Sequence, residues 1–158
     1  NMNNNEKDKA AQAKDLFKQG YNCAQAVLCS FCAETGLSFD NALKIASSFG
    51  GGMGRLREVC GAVSAMFMVA GIKYGYTSNN DNKLKREHYK LIQDLAQEFK
   101  AECGSIVCRE ILKLRENQLN SPSPTERSEQ FYKERPCEKA VGCAAALTQK
   151  MLESRKEA

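Results

Sequence analysis

Leu56-Arg57-Glu58-Val59-Cys60-Gly61-Ala62-Val63-Ser64-Ala65-Met66-Phe67-Met68-Val69-Ala70-Gly71-Ile72-Lys73-Tyr74 is the stretch on which the fold turns. Between Val59 and Ile72 it carries no charge, so wound as a helix it offers no polar face to water. A helix apolar all round is stable only when other elements cover every side, which places it at the centre of a bundle. The run is 14 residues, short of the roughly 18 to 20 that span a bilayer. The cover is therefore expected to be protein, with no membrane insertion. Gly75 ends the helix.

The neighbouring segments supply that cover. Across Asn82–Glu102, Leu84, His88, Leu91, Ile92, Leu95 and Phe99 recur at the helical period with charges on the other face. A first helix is expected from near Glu6 to Gly20, and Asn22 caps a second that reaches Gly36. A short helix covers Asp40–Ser48, and the last runs from about Cys137 to Arg155. Residues Asn117–Thr125 hold two of the three prolines and read as a loop. Ser123-Pro124-Thr125-Glu126 reads as a capping box opening a short helix that Pro136 ends. No long alternating pattern argues for a strand. The expected class is all-α, a single-domain bundle of six or seven helices around an apolar central helix.

Composition agrees with that reading. A chain of 158 residues that is 42% hydrophobic and 27% charged forms one globular core rather than a disordered tract. Residues 1–5 are expected to be a disordered tail, Asn1 ahead of Met2 being a cloning remnant, with residues 6–158 as the domain. The polar stretch Asn1–Gln12 has no apolar segment of a secretory signal, so a cytoplasmic protein is expected. The net charge of +4 comes from signs that alternate along the chain. Without clustered Lys and Arg, nucleic acid is not an expected partner.

The eight cysteines, at positions 23, 29, 32, 60, 103, 108, 137 and 143, are the unusual feature. In a reducing compartment such a count points to metal or redox chemistry rather than structural disulfides. The reactive form is the thiolate, and a helix amino terminus favours it with free N–H groups and the positive end of the helix dipole. Cys23 follows the cap Asn22, Cys60 lies about one turn into the central helix, Cys108 follows Ser105 by three residues, and Cys137 follows Pro136. If these four starts converge, they form a pocket suited to an iron–sulfur cluster. Cys103 ends a helix instead, Cys32 lies about 900° round from Cys23 at roughly 100° per residue, and Cys143 turns off the face of Cys137. Cys29 and Cys32 make a C-x-x-C without the His of a haem-attachment motif. Because separations of 37, 48 and 29 residues match no local metal motif, gap-filling by eight buried thiols stays open on spacing alone.

Gly50-Gly51-Gly52-Met53-Gly54 precedes Cys60 and is neither a P-loop nor a dinucleotide fingerprint. Its glycines, with Gly61, give the backbone room to approach a cofactor, so Gly51, Gly52, Gly54 and Gly61 are the candidate cofactor-binding residues, a flexible connection between two helices being the alternative for the run. Arg55 and Arg57 stand ready to offset thiolate charge. His88 is the only histidine, which argues against a zinc hydrolase or a serine triad.

Asn22-Cys23-Ala24-Gln25, Phe49-Gly50-Gly51-Gly52-Met53-Gly54, Cys60-Gly61-Ala62-Val63-Ser64-Ala65, Cys108-Arg109-Glu110-Ile111-Leu112 and Cys137, in that order, resemble the C-GCAxxG-C-C family of redox-active proteins, from about Lys14 to Leu152. The resemblance implies that the family's four cysteines are Cys23, Cys60, Cys108 and Cys137. Ala65 stands where the family signature has its last glycine. Similar domains look related to the iron–sulfur part of split-Soret cytochromes, which implies a bound cluster. Electron transfer through an iron–sulfur cluster, with an unidentified redox partner, is the leading expectation; aerobic purification is expected to strip the cluster or leave zinc. A thiol-disulfide oxidoreductase using two of the same cysteines, and a non-catalytic protein with structural zinc or inert thiols, are the alternatives. An apolar bundle of this size is also compatible with a homodimer.

Overall fold

The computed structural model describes residues 8–114 and 121–156. Its helices are α1 (Lys9–Lys18), α2 (Cys23–Cys29), α3 (Cys32–Thr35), α4 (Phe39–Ser47), α5 (Gly61–Tyr74), α6 (Asn82–Cys103), α7 (Cys108–Ile111), α8 (Glu129–Glu134) and α9 (Cys137–Lys156). A tight turn, Gly50–Met53, joins α4 to α5. The all-α class is as expected, but the described residues hold nine of these helices where six or seven were expected, because α3, α7 and α8, with four to six residues each, add to six longer ones. Residues 1–5, read as a tail, lie outside the described residues, as do the first four residues, 117–120, of the expected loop.

Helix α5 occupies the centre. Its first six residues, Gly61 to Met66, are all buried, as are Val69 and Ala70. Helix α2 packs along it, α9 lies against α1, α2 and α5, and α6 leans on α5 and α9. The stripe predicted on α6 faces inward through Leu95 and Phe99. Small residues on α9, among them Ala140, Gly142, Ala144 and Ala145, are buried and let it approach its neighbours closely. Among the described residues no helix is long and apolar enough to cross a membrane.

Three local expectations are corrected. The second helix does not run unbroken to Gly36: Ser30 turns its hydroxyl back to donate to the Ala26 carbonyl at 2.8 Å, and α3 starts afresh after the buried Phe31. Cys60 is not inside α5 but is its N-cap. The Ser123 capping box does not form. Arg55 crosses to this segment, donating from Nε to the Ser121 carbonyl at 2.8 Å and from Nη1 to Thr125 Oγ1 at 3.1 Å. Ser128 caps α8 instead, accepting from the Phe131 N–H at 3.1 Å.

The cap of α2 forms as read and with a reciprocal bond. Asn22 Oδ1 accepts from the Gln25 N–H at 2.8 Å while Gln25 Oε1 accepts from the Asn22 N–H at 3.1 Å. Asn22→Ala is expected to cost about 1 kcal/mol, measured by thermal unfolding. A variant as stable as the parent would show that packing alone places this helix start.

Candidate functional site

Each of the four selected cysteines stands at the start of a helix, and different devices put it there. Cys23 follows the cap Asn22. Cys137 follows Pro136, with Arg135 held extended, as a residue before proline prefers. Cys60 and Cys108 are placed together by a pairing the sequence did not announce. Val59 and Val107 form an isolated antiparallel bridge. Beside it the Cys60 N–H donates to the Ile106 carbonyl at 2.8 Å, and the Cys108 N–H donates to the Glu58 carbonyl at 2.6 Å.

The glycine-rich turn closes over this bridge in a left-handed conformation. Gly51, Gly52, Met53, Gly54, Arg55 and Arg57 all have φ between 60° and 69°. Left-handed geometry costs an L-residue roughly 1 to 2 kcal/mol, so glycine at three of these positions lowers a cost that Met53, Arg55 and Arg57 still carry. Backbone bonds that each span six residues hold the turn: the Arg57 N–H donates to the Gly51 carbonyl at 3.2 Å and the Glu58 N–H to the Gly52 carbonyl at 2.9 Å. Such local strain concentrates at functional sites.

Cys23, Cys60, Cys108 and Cys137 line one cavity of about 40 Å³, with Gly52 and Gly61 in its wall. Gly51 also lines it, whereas Gly54 faces a neighbouring, larger pocket. The glycines admit protein as well as open space. A Cβ on Gly52 would sit 2.6 Å from the Cys108 Cβ, and one on Gly61 would sit 2.7 Å from the Phe49 carbonyl oxygen.

The electrostatics differ from the helix-start argument. Burial pushes Cys60 up to about 12 even though the N–H groups of Ala62 and Val63 donate to its sulfur. Burial raises Cys108 too, against the Arg57 guanidinium, whose Nη1 donates to Cys108 Sγ at 3.6 Å. The cost of desolvating a thiolate outweighs the helix end at both positions. Cys23 and Cys137 form an unequal pair. Their hydrogen bond, then burial and the neighbouring sulfurs, holds Cys23 well above the usual thiol range. The same bond, aided by Arg135, Arg127 and Arg57 and opposed by burial, brings Cys137 down to about 7.

The other four cysteines stay out of the cavity. Cys29 and Cys32 hydrogen-bond to each other, and burial raises Cys29 to about 12. Cys103 pairs with Cys143, a contact that reading each thiol on its own helix did not foresee. His88 packs edge-on to Tyr76, ring centroids 6.0 Å apart, and lines no part of the cavity.

Arg127 and Arg135 are the site residues that sequence reasoning missed. Arg127 donates to the carbonyls of Phe17 at 3.0 Å and Tyr21 at 3.1 Å, and its guanidinium lies 4.3 Å from the Phe17 ring centroid. It ties the segment before Cys137 to the turn before Cys23. Clustered Arg and aromatic residues at 127–135 were the available signal, but nothing local said which residues they would meet.

Ala65, the departure from the signature, is fully buried on α5 and lines no part of the cavity. Restoring glycine is expected to cost about 1 kcal/mol through helix propensity and to leave the thiols in place, as denaturant titration and thiol counting would report.

Among the described residues no three His, Cys, Asp or Glu side chains stand together as ligands of a single metal ion. Residues 21–151 match the family model described as "Putative redox-active protein (C_GCAxxG_C_C)". No curated protein and no solved structure matches the chain.

Proposed function

The chain belongs to the C_GCAxxG_C_C family, and from that premise and the four-thiol cavity we propose a redox centre in which Cys23, Cys60, Cys108 and Cys137 hold an iron–sulfur cluster for electron transfer. One observation carries the reading: thiols from four distant stretches of chain face a single cavity. The donor chemistry fits, since thiolates are the ordinary ligands of such clusters, which supply one-electron transfer when bound. The chain's own contribution is charge and orientation. Arg57, Arg127 and Arg135 stand beside the sulfurs, and the Ala62 and Val63 N–H groups point at Cys60. N–H bonds to ligand sulfur and nearby cations are levers on a reduction potential. Eight free thiols suit a reducing cytoplasm.

Anaerobic reconstitution with ferrous iron and sulfide tests the assignment. Visible charge-transfer absorption is expected, lost on Cys→Ser substitution at each of positions 23, 60, 108 and 137 and retained in Cys29→Ser, Cys32→Ser and Cys143→Ser. No absorption, or absorption that survives all four substitutions, sinks it; zinc uptake at the same four positions would support the structural-metal alternative instead.

A second reading rests on the unequal Cys23–Cys137 pair. In it the Cys137 thiolate attacks one sulfur of a substrate disulfide, displacing the other as a thiolate. Cys23 then gives up its proton and attacks Cys137, releasing the second substrate thiol and leaving a Cys23–Cys137 disulfide. With Cys137 near 7, its alkylation rate in iron-free protein should rise about tenfold from pH 6 to pH 8 and then level off, because the thiolate fraction saturates. A rate still climbing steeply above pH 8, as for an ordinary thiol, removes this reading.

A further inference from the structure

A second pocket, of about 290 Å³, opens directly against Cys23 and Cys137 and shares Gly51 and Arg57 with the thiol cavity. Four arginines, Arg55, Arg57, Arg127 and Arg135, line it, and among the described residues no carboxylate does. The ion pairs of the described residues also leave these four out, drawing on Lys9, Lys18, Lys83, Lys90, Arg109 and Lys150.

Arg57 is the decisive residue. It is 5% exposed, and among the described residues its Nη1 donates only to the Cys108 sulfur while its buried Nε has no hydrogen-bond partner. A buried guanidinium without an anion is strongly unfavourable, and here it is also carried on a left-handed backbone, φ 61°. The fold therefore accepts two costs to place one positive charge between the thiol cavity and the pocket. The neighbouring guanidiniums add to the charge: Arg57 and Arg135 both act on Arg55 to weaken its hold on a proton, after burial. Among the described residues Arg55 and Arg127 are anchored by carbonyls and by the Thr125 and Tyr132 hydroxyls rather than by carboxylates, so their charge is not cancelled.

We propose that this pocket binds a small anionic molecule, with its carboxylate or oxyanion group held by Arg55, Arg57 and Arg135 and its remainder placed against Cys23 and Cys137. Guanidinium groups match both kinds of anion through paired N–H donors. A volume of about 290 Å³ lies at the lower end of ligand pockets, the size of a dicarboxylate or an amino acid rather than a peptide segment. Phe17, Phe131 and Pro124 supply an apolar wall for the uncharged part. This deepens the redox reading above, on which it rests for calling the anion a substrate; anion binding itself does not depend on a cluster.

The test uses succinate and inorganic sulfate as probes, with neutral succinamide as control, at constant ionic strength. N-ethylmaleimide labelling of individual cysteines is followed by peptide mass spectrometry. Succinate or sulfate is expected to slow labelling of Cys137 saturably, at least tenfold, while Cys32 is unaffected and succinamide does nothing. Arg55→Gln and Arg135→Gln are each expected to raise the half-protecting concentration at least tenfold; both side chains are only partly buried, so these variants serve if Arg57→Gln fails to fold. No protection by either anion, equal protection by succinamide, or protection unchanged in both variants overturns the proposal. Iron–sulfur assembly is read on the same preparations by visible absorption. Protection without assembly would leave the pocket standing and remove the cluster; assembly without protection would do the reverse.

Discussion

Gly52→Ala is expected to lower stability by about 2 to 4 kcal/mol and to abolish the thiol cavity. Two costs add. The backbone at Gly52 has φ 69°, where an alanine is penalised by about 1 kcal/mol relative to glycine. The new methyl would also lie 2.6 Å from the Cys108 Cβ, 2.8 Å from the Glu58 nitrogen and 2.9 Å from the Arg57 Cα. Two of these neighbours are backbone atoms on the segment that bridges to Val107, so no side chain can swing away, and overpacking of this kind costs about 1 to 3 kcal/mol. Relief requires the turn to lift off the bridge, which separates Cys60 from Cys108. At about 2 to 4 °C per kcal/mol for a chain of this size, a melting point lower by roughly 10 °C is expected, with no iron–sulfur absorption on reconstitution. Gly20→Ala is the control. It has φ 105° with open space around the Cβ position, so it bears only the backbone penalty. Equal losses in the two variants would mean that the turn does not press on Cys108.

This sensitivity was only partly legible in the sequence. Helix α5 could be read from an unbroken apolar run, α6 and α9 because their apolar residues recur at the helical period, and α2 because Asn22 offers a cap. The four site cysteines could be picked because each was placed in or next to the first turn of a helix, and all four do line the cavity. The means of convergence left no local trace. The Val59–Val107 bridge joins residues 48 apart, and the left-handed turn that covers it shows only as a run of glycines, which fits a flexible connection equally well. The thiol electrostatics inverted for a similar reason. A helix start is a local property that favours a thiolate, whereas burial of Cys60 and Cys108 depends on the whole bundle and opposes it more strongly. Arg127 and Arg135 escaped notice because their role depends on Phe17, Tyr21 and Cys137, which reach them only through the tertiary fold.

Phe17→Ala tests that last dependence, and its expected effect is as large. Phe17 is 1% exposed, and its ring lies 5.8 Å from that of Tyr132 and 6.2 Å from that of Phe131, beneath the Arg127 guanidinium. Truncating a buried phenylalanine to alanine typically costs about 3 to 5 kcal/mol. The Phe17 carbonyl remains to accept from Arg127, so the lost cation–π contact adds only about 0.5 to 2 kcal/mol to the consequences for that side chain. Arg127 is nonetheless freed to move, and it is one of three arginines that favour the Cys137 thiolate. With that support weakened, the midpoint of Cys137 alkylation in iron-free protein should shift upward from about 7. Phe17→Leu retains most of the volume and should lose much less stability. If Phe17→Ala melts early while the Cys137 midpoint stays fixed, the aromatic cluster serves the core alone. An upward shift in step with the lost stability would instead join α1, through one stacked arginine, to the chemistry of a sulfur 120 residues away.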